Sequence, residues 1–211
     1  MRIFNVMFGK GLGGIEQAFV DYSQTLAEQK HQVVAVIHPN ASVTHLLSKL
    51  NVTVRRIGNI GQWDPFAVSK LHNLIFSIHQ PDVIVTHGNR ATRLMKRTSA
   101  GKIPVVAVSH NYSLKNVKNI SAVLAITEDM YGHVLKQGIS KDKVFHLPNM
   151  VDITTDYEPH INFVNNEATN QPLVIGTMGR MVKKKGFDVF LKALSILDRK
   201  GLDFKVIIGG N

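Results

Sequence analysis

The feature that most constrains the fold is a series of short apolar runs, rich in Val and Ile, that alternate with longer amphipathic stretches. Strands of a parallel sheet leave such runs in a sequence because helices cover both faces of the sheet. The amphipathic stretches then supply the crossover helices that parallel strands require. The runs span residues 3–8, 33–37, 52–57, 83–86, 105–109, 123–127 and 144–147. This alternation predicts an α/β fold with a doubly wound, Rossmann-like domain.

Two of the amphipathic stretches carry specific helix signals. Apolar residues recur at helical spacing from Ile15 to Leu26, which indicates that a helix follows the first strand. Asp64 followed by Pro65 is a favourable N-cap and first position for a second helix, which we expect to reach about His79. Both helices fit the crossovers of a doubly wound domain.

The alternation breaks once, between residues 152 and 172, where Pro, acidic residues and a cluster of Asn replace the apolar runs. We interpret this segment as an interdomain linker. The pattern then restarts with a strand, a helix and a strand. The predicted organisation is an N-terminal Rossmann-like domain at 1–151, a linker at 152–172 and the first βαβ unit of a second Rossmann-like domain at 173–211. Because open α/β sheets usually have about five or six strands, we expect the chain to stop inside this second domain.

Charge and cysteine content narrow the function classes. The 211 residues include 25 Lys and Arg against 15 Asp and Glu, which gives a formal charge of +10. This excess favours an anionic partner: nucleic acid, a membrane surface or a phosphorylated small molecule. The absence of Cys excludes disulfides, thiolate zinc sites and cysteine nucleophiles, and permits a cytoplasmic location. The first apolar run is too short for a signal-peptide core or a membrane span.

A glycine-rich loop follows the first apolar run. Residues 9–14 satisfy the pattern G-x-G-x-x-G and open a helix, so bare backbone and a helix N-terminus would form an anion cradle at Gly13 and Gly14. A dinucleotide-binding domain would place an acid at the end of the next strand, about 20 residues further on. That strand ends instead in the sequence IHPN, residues 37–40, which weakens the NAD interpretation. A tight turn without a ligand is the alternative, and the P-loop pattern is absent.

Two histidines lie just past the ends of consecutive predicted strands, His87 in the sequence VIVTHG and His110 in the sequence VVAVSHN. In open α/β folds that edge of the sheet is where ligands bind. An imidazole can hydrogen-bond a substrate hydroxyl or phosphate and titrates near neutrality. Both histidines are therefore candidate site residues, and a structural or merely exposed role is the alternative. No H-E-x-x-H motif or neighbouring acid indicates a metal site.

A basic loop lies between the predicted strand and helix of the second unit, with the sequence GRMVKKKGFD at residues 179–188. Arg180 and Lys185 could reach the same anion from this loop, which also offers backbone N–H groups. The alternative is a solvated basic turn. Spacing alone leaves both interpretations open.

Taken in order, these motifs resemble the retaining glycosyltransferases of the GT-B superfamily, specifically the family-four type that uses nucleotide-sugar donors. The pair of Gly179-Arg180 with Lys185-Gly186 is the most specific element of the resemblance. Met150 departs from it, because the family usually has glycine at this position. The sequences that carry it are GGIE (13–16), PDVIVTHG (81–88), PVVAVSH (104–110), LPNMVD (147–152), IGTMGR (175–180), KGFD (185–188) and IIGG (207–210).

The resemblance implies transfer of a sugar from a nucleotide-diphosphate sugar to a hydroxyl acceptor with retained configuration, without a metal or other cofactor. Arg180 and Lys185 would then clamp the donor diphosphate. The loop at Gly13 and Gly14 would make room for the diphosphate and the acceptor. His110 would lie beside the sugar as the catalytic residue.

On the acceptor side, the residues that match the resemblance are Glu16 and His87. The resemblance also implies that the acceptor is a cell-envelope glycan or a lipid-linked molecule. It further implies a cytoplasmic protein in peripheral contact with the inner face of the plasma membrane. The E-x(7)-E segment of the family, which holds the donor sugar and ribose, has no counterpart before residue 211. We therefore expect a truncated or split form of such an enzyme, with a non-catalytic remnant as the alternative.

A different function class is suggested by residues 83–127, which include many basic residues and no acid. Tyr112 is the only aromatic residue there, so recognition of single-stranded nucleic acid by stacking is poorly supported and no nucleic acid partner is expected. Arg90, Arg93 and Arg97 recur at spacings of three and four, which suits a helix face on an anionic membrane surface. A plain solvated basic face is the alternative.

Overall fold

The computed structural model of the protein describes residues 1–61, 63–113, 116–150 and 173–210. The chain divides into two compact units, Met1–Ile153 and Thr154–Asn211. The first unit contains a seven-stranded sheet and the second a two-stranded sheet. The predicted linker at 152–172 lies outside the described residues, so the predicted domain limits stay a prediction.

Strands and helices alternate along the first unit as the apolar runs predict, except between the runs at 105–109 and 123–127, where the described residues form no helix. Each of the seven runs forms a strand whose ends differ from the predicted ends by at most two residues. The strands are β1 (Arg2–Met7), β2 (Gln32–Ile37), β3 (Thr53–Arg56), β4 (Val83–His87), β5 (Val105–Ser109), β6 (Ala122–Ala125) and β7 (Val144–His146). The helices are α1 (Gly14–Glu28), α2 (Thr44–Leu47), α3 (Pro65–Asn73), α4 (Asn89–Ser99) and α5 (Glu128–Lys136), and a π-helical turn, Leu74–His79, continues α3.

All neighbouring strands of the large sheet are parallel, in the order β3-β2-β1-β4-β5-β6-β7. This is the strand order of a doubly wound Rossmann sheet, and it confirms the predicted fold class. The order reverses between β1 and β4, where Met7 and His87 are register partners. Ligands of such sheets bind outside the carboxyl ends of the strands at this reversal.

Alternate residues of the strands face opposite helical layers. Phe4 and Val6 of β1 belong to a buried cluster with Leu71 of α3. Met7 of the same strand belongs to a second cluster, together with Phe19 of α1. Helices therefore cover both faces of the sheet, which explains why its strands read as unbroken apolar runs.

The predicted cap of α3 is present. Asp64 is the N-cap and Pro65 the first residue of the helix. The Asp64 carboxylate accepts hydrogen bonds from the backbone N–H groups of Ala67 at 3.0 Å and Ile60 at 2.9 Å. Both hydrogen bonds lower the pKa of Asp64, and the one from Ile60 has the larger effect. They also hold the start of the helix against the loop that precedes it.

The second unit has the predicted βαβ order: β8 (Leu173–Met178), α6 (Phe187–Arg199) and β9 (Phe204–Gly209), with β8 parallel to β9. Leu194 is the buried residue of α6. Val189 on the same helix and Ile207 on β9 are largely exposed. In the described residues this unit therefore buries only part of its apolar surface. Across the same described ranges, no helix has the length and apolar character that crossing a membrane requires.

Leu71→Ala and Ile78→Ala test the packing of α3 against the sheet. Leu71 is fully buried, whereas Ile78 in the π-helical turn is 55% exposed. We expect Leu71→Ala to lower the free energy of unfolding of the first unit by about 2–5 kcal/mol, because it removes buried methyl groups and leaves a cavity. Ile78→Ala is expected to change it by less than about 0.5 kcal/mol. Urea titrations followed by the fluorescence of Trp63, the single Trp of the chain, report on this unit. Equal losses in both variants would contradict the packing.

Candidate active site

The candidate residues of the first unit all lie at the carboxyl edge of its parallel sheet. Gly13 and Gly14 follow β1, His87 is the last residue of β4, and His110 directly follows β5. Because β1, β4 and β5 are neighbours in the sheet, loops that are distant in the sequence meet here. The parallel arrangement alone gives this convergence.

The glycine-rich loop leads from β1 into α1. Gly13 is the N-cap of α1 in an extended conformation, and no side chain caps the helix there. The carboxylate of Glu16 bends back over the loop: a Cβ atom on Gly9 would overlap its Oε1, and one on Gly13 would lie 3.2 Å from its Oε2. Glu16 itself lies in the first turn of α1, the end of a helix that favours negative charge. The predicted anion cradle therefore shares its loop with a carboxylate of the chain itself.

His87 is buried at the end of β4, with 2% of its surface exposed. Its ring lies edge to face with the rings of Phe19 and Tyr22 on α1, with centroids 5.6 and 5.1 Å apart. Its Nδ1 lies 3.0 Å from Nε2 of His110, and the two imidazoles stack at an interplanar angle of 26°. The structure therefore joins the two histidines that the sequence places after separate strands.

Burial determines the charge state of this pair. It lowers the pKa of His110 to about 4. Burial, and secondly the charge that His110 would carry, lowers the pKa of His87 well below its usual value. Both rings are therefore neutral near neutral pH, so one of the facing nitrogens donates in the hydrogen bond and the other accepts. With its Nε2 engaged, His110 has Nδ1 left for a ligand. His110 is thus a neutral hydrogen-bonding group whose ring is oriented by His87.

A buried polar contact anchors the helix that holds His87 in place. Asn5 of β1 donates hydrogen bonds from Nδ2 to the carbonyl oxygen of Phe19 and to Oγ of Ser23, both at 2.9 Å. These bonds tie α1 to β1, an inner strand of the sheet. Since Phe19 and Tyr22 contact His87 from this helix, the orientation of the histidine pair depends on the same anchor. Nε2 of His87 and the hydroxyl of Tyr22 are buried without a hydrogen-bond partner among the described residues.

Arg180 and Lys185 share the loop between β8 and α6 in the second unit. Backbone hydrogen bonds from Val182 N to the Arg180 carbonyl and from Lys185 N to the Val182 carbonyl, at 2.8 and 2.9 Å, fold this loop into a compact turn. Gly186, with a φ of 69°, ends the turn before α6. The aliphatic part of Lys185 lies against Gly179. Both cationic side chains are exposed, and neither has a hydrogen bond or ion pair within the described ranges.

An open cavity of about 550 Å³ lies at the carboxyl edge of the large sheet. Sequence reasoning did not single out Lys10, Asn59 or Asn111 among its lining residues, because none belongs to a recognised motif. The available signal was their position, since Lys10, Asn59 and Asn111 each come soon after a strand. The cavity is lined by Phe8, Gly9, Lys10, Ile15, Asn59, Ile60, Gly88, Asn89, Arg90 and Asn111.

The described side chains offer hydrogen-bonding groups and positive charge rather than a preformed metal site. Over residues 1–61, 63–113, 116–150 and 173–210, no three or more His, Asp or Glu side chains are arranged to hold a metal ion. His110 can bond a hydroxyl group through Nδ1. Arg180 and Lys185 can bind a phosphate by charge-assisted hydrogen bonds.

The fold of the chain matches that of solved GT-B glycosyltransferases. Residues 12–155 match the sequence profile of Glycosyltransferase Family 4. The chain belongs to this family, as the sequence motifs predict.

Known proteins similar to this chain include two curated relatives and a solved structure. A phosphatidylinositol N-acetylglucosaminyltransferase subunit of Arabidopsis thaliana is 22% identical over 97% of this chain and 50% of its own length. The lipopolysaccharide core biosynthesis glycosyltransferase LpsD of Rhizobium meliloti is 24% identical over 92% of this chain and 55% of its own length. The chain thus spans about half the length of these relatives. The structure of Anabaena Alr3699/HepE in complex with UDP-glucose is 17% identical, with a TM-score of 0.68 over 100% of this chain and 69% of that one.

The neutral histidine pair predicts a pH-dependent stability. In the unfolded chain a histidine binds a proton as the pH falls through about 6.5, whereas folded His110 binds one only near pH 4. Between these values the unfolded state binds more protons, so the free energy of unfolding of the first unit decreases as the pH is lowered. We expect His110→Gln to make this decrease shallower, while His72→Gln, at an exposed position, leaves it unchanged. Urea titrations at several pH values, followed by Trp63 fluorescence, measure it. A slope that His110→Gln does not alter would contradict the buried neutral pair.

Proposed function

We propose that this protein transfers a sugar from a nucleotide-diphosphate sugar to a hydroxyl group of an acceptor, with retention of configuration. The observation that carries the proposal is a pair of cations, Arg180 and Lys185, on one compact loop before a helix in a family 4 glycosyltransferase chain. Neither side chain has a partner among the residues that the structure describes. UDP-glucose is the first donor to test, because the similar Anabaena protein was crystallised with it.

The proposed chemistry needs stabilisation of one developing charge. As the bond between the sugar and the diphosphate breaks, negative charge grows on the leaving phosphate, and Arg180 and Lys185 stabilise it by charge-assisted hydrogen bonds. The acceptor oxygen forms the new bond on the same face of the sugar and gives its proton to the leaving phosphate. In this scheme no metal and no covalent protein nucleophile takes part. His110 bonds a hydroxyl group of the sugar through Nδ1.

The acceptor we propose is a hydroxyl group of a cell-envelope glycan or of a lipid-linked molecule, reached at the cytoplasmic side of the membrane. The names of both curated relatives support this class, since one refers to phosphatidylinositol and the other to the lipopolysaccharide core. The donor contact of Gly13 and Gly14 and the acceptor-side roles of Glu16 and His87 stay predictions.

Binding of UDP tests the donor site directly. Arg180→Ala and Lys185→Ala are each expected to weaken UDP binding about tenfold to hundredfold, because a charge-assisted hydrogen bond contributes about 1.5–3 kcal/mol. Lys192→Ala, an exposed lysine on α6, serves as the control and should bind UDP like the parent. His110→Ala should keep the UDP affinity and lower the rate of sugar transfer from UDP-glucose, since His110 lies at the sheet edge of the first unit. Calorimetry and transfer assays separate these effects.

Two results would contradict this assignment. If both cation variants bind UDP as tightly as the parent chain, the diphosphate clamp is wrong. If the parent chain binds neither UDP nor any other nucleotide diphosphate, the non-catalytic alternative is favoured.

A second function, peripheral contact with an anionic membrane, is favoured by an exposed aromatic surface beside α4. Ile60, Trp63 and Phe66 are 97%, 61% and 78% exposed. The guanidinium groups of Arg93 and Arg97 lie over the ring of Trp63, at 3.2 and 5.7 Å from its centroid. We propose that this aromatic and basic surface contacts anionic lipid, because aromatic rings settle at the headgroup level while the arginines attract negative headgroups.

Liposome co-sedimentation tests the membrane surface. The protein is expected to bind vesicles containing phosphatidylglycerol, to bind pure phosphatidylcholine vesicles poorly, and to be released by salt, because exposed charges are screened. Combining Trp63→Ala with Phe66→Ser should weaken the binding severalfold. Phe145→Ser, at an exposed aromatic position on β7, is the matched control. Equal binding to both vesicle types would contradict this second function.

A further inference from the structure

We infer that His87 is a positioning residue that fixes His110 as a hydrogen-bond donor toward the ligand. In this arrangement Nδ1 of His87 donates to Nε2 of His110, and Nδ1 of His110 carries the proton that faces the ligand. The group bound there must then be an acceptor, such as the oxygen of a hydroxyl, carbonyl or phosphate group, and not an ammonium group. The inference rests on the proposed function, because it specifies how the histidine at the sheet edge recognises its substrate.

The protons of the two imidazoles have only two possible arrangements. Both rings are neutral, so the pair has two N–H groups for four ring nitrogens. One N–H lies in the contact between Nδ1 of His87 and Nε2 of His110, which are 3.0 Å apart. If His87 donates in this contact, the second proton is on Nδ1 of His110. If His110 donates, the second proton is on Nε2 of His87, and Nδ1 of His110 is an acceptor.

The surroundings of the pair do not stabilise a third proton. Burial lowers the pKa of His110 to about 4, and burial followed by the charge on His110 lowers the pKa of His87 well below its usual value. Within the described ranges, neither ring has a hydrogen bond or an ion pair with a carboxylate. The pair therefore keeps exactly two protons near neutral pH, and only their positions are left to decide.

The environment of Nε2 of His87 decides between the two arrangements. This nitrogen is buried, and it has no hydrogen-bond partner in the part of the chain that the structure describes. The rings of Phe19 and Tyr22 pack edge to face against the imidazole. A proton on Nε2 would be a buried N–H group without an acceptor, which folded proteins rarely contain. Without that proton, Nε2 has only an unused lone pair.

The hydroxyl group of Tyr22 favours the same arrangement. It too is buried without a partner among the described residues, and the centroid of its ring lies 5.1 Å from that of His87. With a proton on Nε2 of His87, this buried region would hold two unpaired donors. With Nε2 unprotonated, it holds one donor and one acceptor, so fewer polar hydrogens lack an acceptor.

Nδ1 of His110 can carry the second proton without this difficulty. Unlike Nε2 of His87, it is accessible from the surface, because the ring of His110 is only partly buried. A ligand or water can accept from it there. A protonated Nδ1 has no free lone pair, so it cannot take a proton from a hydroxyl group. This agrees with the proposed scheme, in which the leaving phosphate takes the proton of the acceptor.

Nitrogen NMR on the whole chain tests the inference without any substrate. In two-bond 1H–15N correlation spectra near neutral pH, protonated and unprotonated ring nitrogens have well-separated shifts, so each histidine reveals its tautomer. We expect Nδ1–H in both His87 and His110. His146, exposed at the end of β7, is the reference for an imidazole that exchanges between tautomers. The signals are assigned by their loss in His87→Leu and His110→Gln.

Two substitutions of His87 separate positioning from packing. His87→Leu removes the donor, so His110 should exchange between both tautomers as His146 does. His87→Asn places an amide N–H near the position of Nδ1 and should restore the Nδ1–H form of His110. Leu71→Ala is the control for a merely structural effect, because Leu71 packs in the cluster on the other face of the sheet from Phe19. It should leave the tautomers of the parent chain unchanged.

Sugar transfer from UDP-glucose gives a second readout. We expect His87→Leu to lower kcat about tenfold, the effect of losing roughly one hydrogen bond to the substrate. The affinity for UDP should stay as in the parent chain, and His87→Asn should recover most of the lost rate.

The outcomes separate this inference from the proposed function. An unprotonated Nδ1 in His110 of the parent chain overturns the inference, and so does a His87→Leu variant in which His110 keeps the Nδ1–H form. Should thermal unfolding show that His87→Leu does not fold, the spectrum of the parent chain still decides, because the opposite arrangement has an unprotonated Nδ1 in both rings. Expected tautomers in a chain that binds no UDP and transfers no sugar would support the positioning and reject the transferase function.

Discussion

The direction of the strands is the constraint on which the first unit depends. Because all seven strands are parallel, every strand ends at the same edge of the sheet, and each must be joined to the next by a crossover. The loops that leave this edge therefore collect there, although β1 and β5 are far apart in the sequence. The glycine loop, His87, His110 and Asn59 meet for this reason alone. The helices that complete the crossovers bury both faces and leave the edge open.

Much of the fold could be predicted from the sequence because each element has its own local signal. A strand buried on both faces must be apolar along its length, and Asp64 with Pro65 forms a cap that is defined by neighbouring residues. The strand order has no such local signal, since it depends on pairing between distant segments. The π-helical turn at Leu74–His79 was likewise not predictable, because its apolar residues fit an ordinary continuation of α3.

The candidate site was predictable in its position but not in its contacts. Position follows from the strand ends, which places His87 and His110 at the edge. Their hydrogen bond and low pKa depend on burial beneath the aromatic side chains of α1, a packing detail that no motif records. The position of the Glu16 carboxylate over the glycine-rich loop was also not predictable, since it depends on side-chain conformation. Asn59 was missed because a residue that lines a cavity can be recognised only when its surroundings are known.

The position of β1 inside the sheet has a consequence for how the protein is made. β1 pairs on one side with β2 and on the other with β4, whose first residue is Val83, so both of its neighbours are synthesised after it. Until residues 83–87 have been synthesised, an apolar strand presents an unpaired edge on which other chains could add. The nascent chain therefore passes through a long interval in which it is prone to aggregate. A chaperone that shields apolar segments would be most valuable to this protein before β4 emerges.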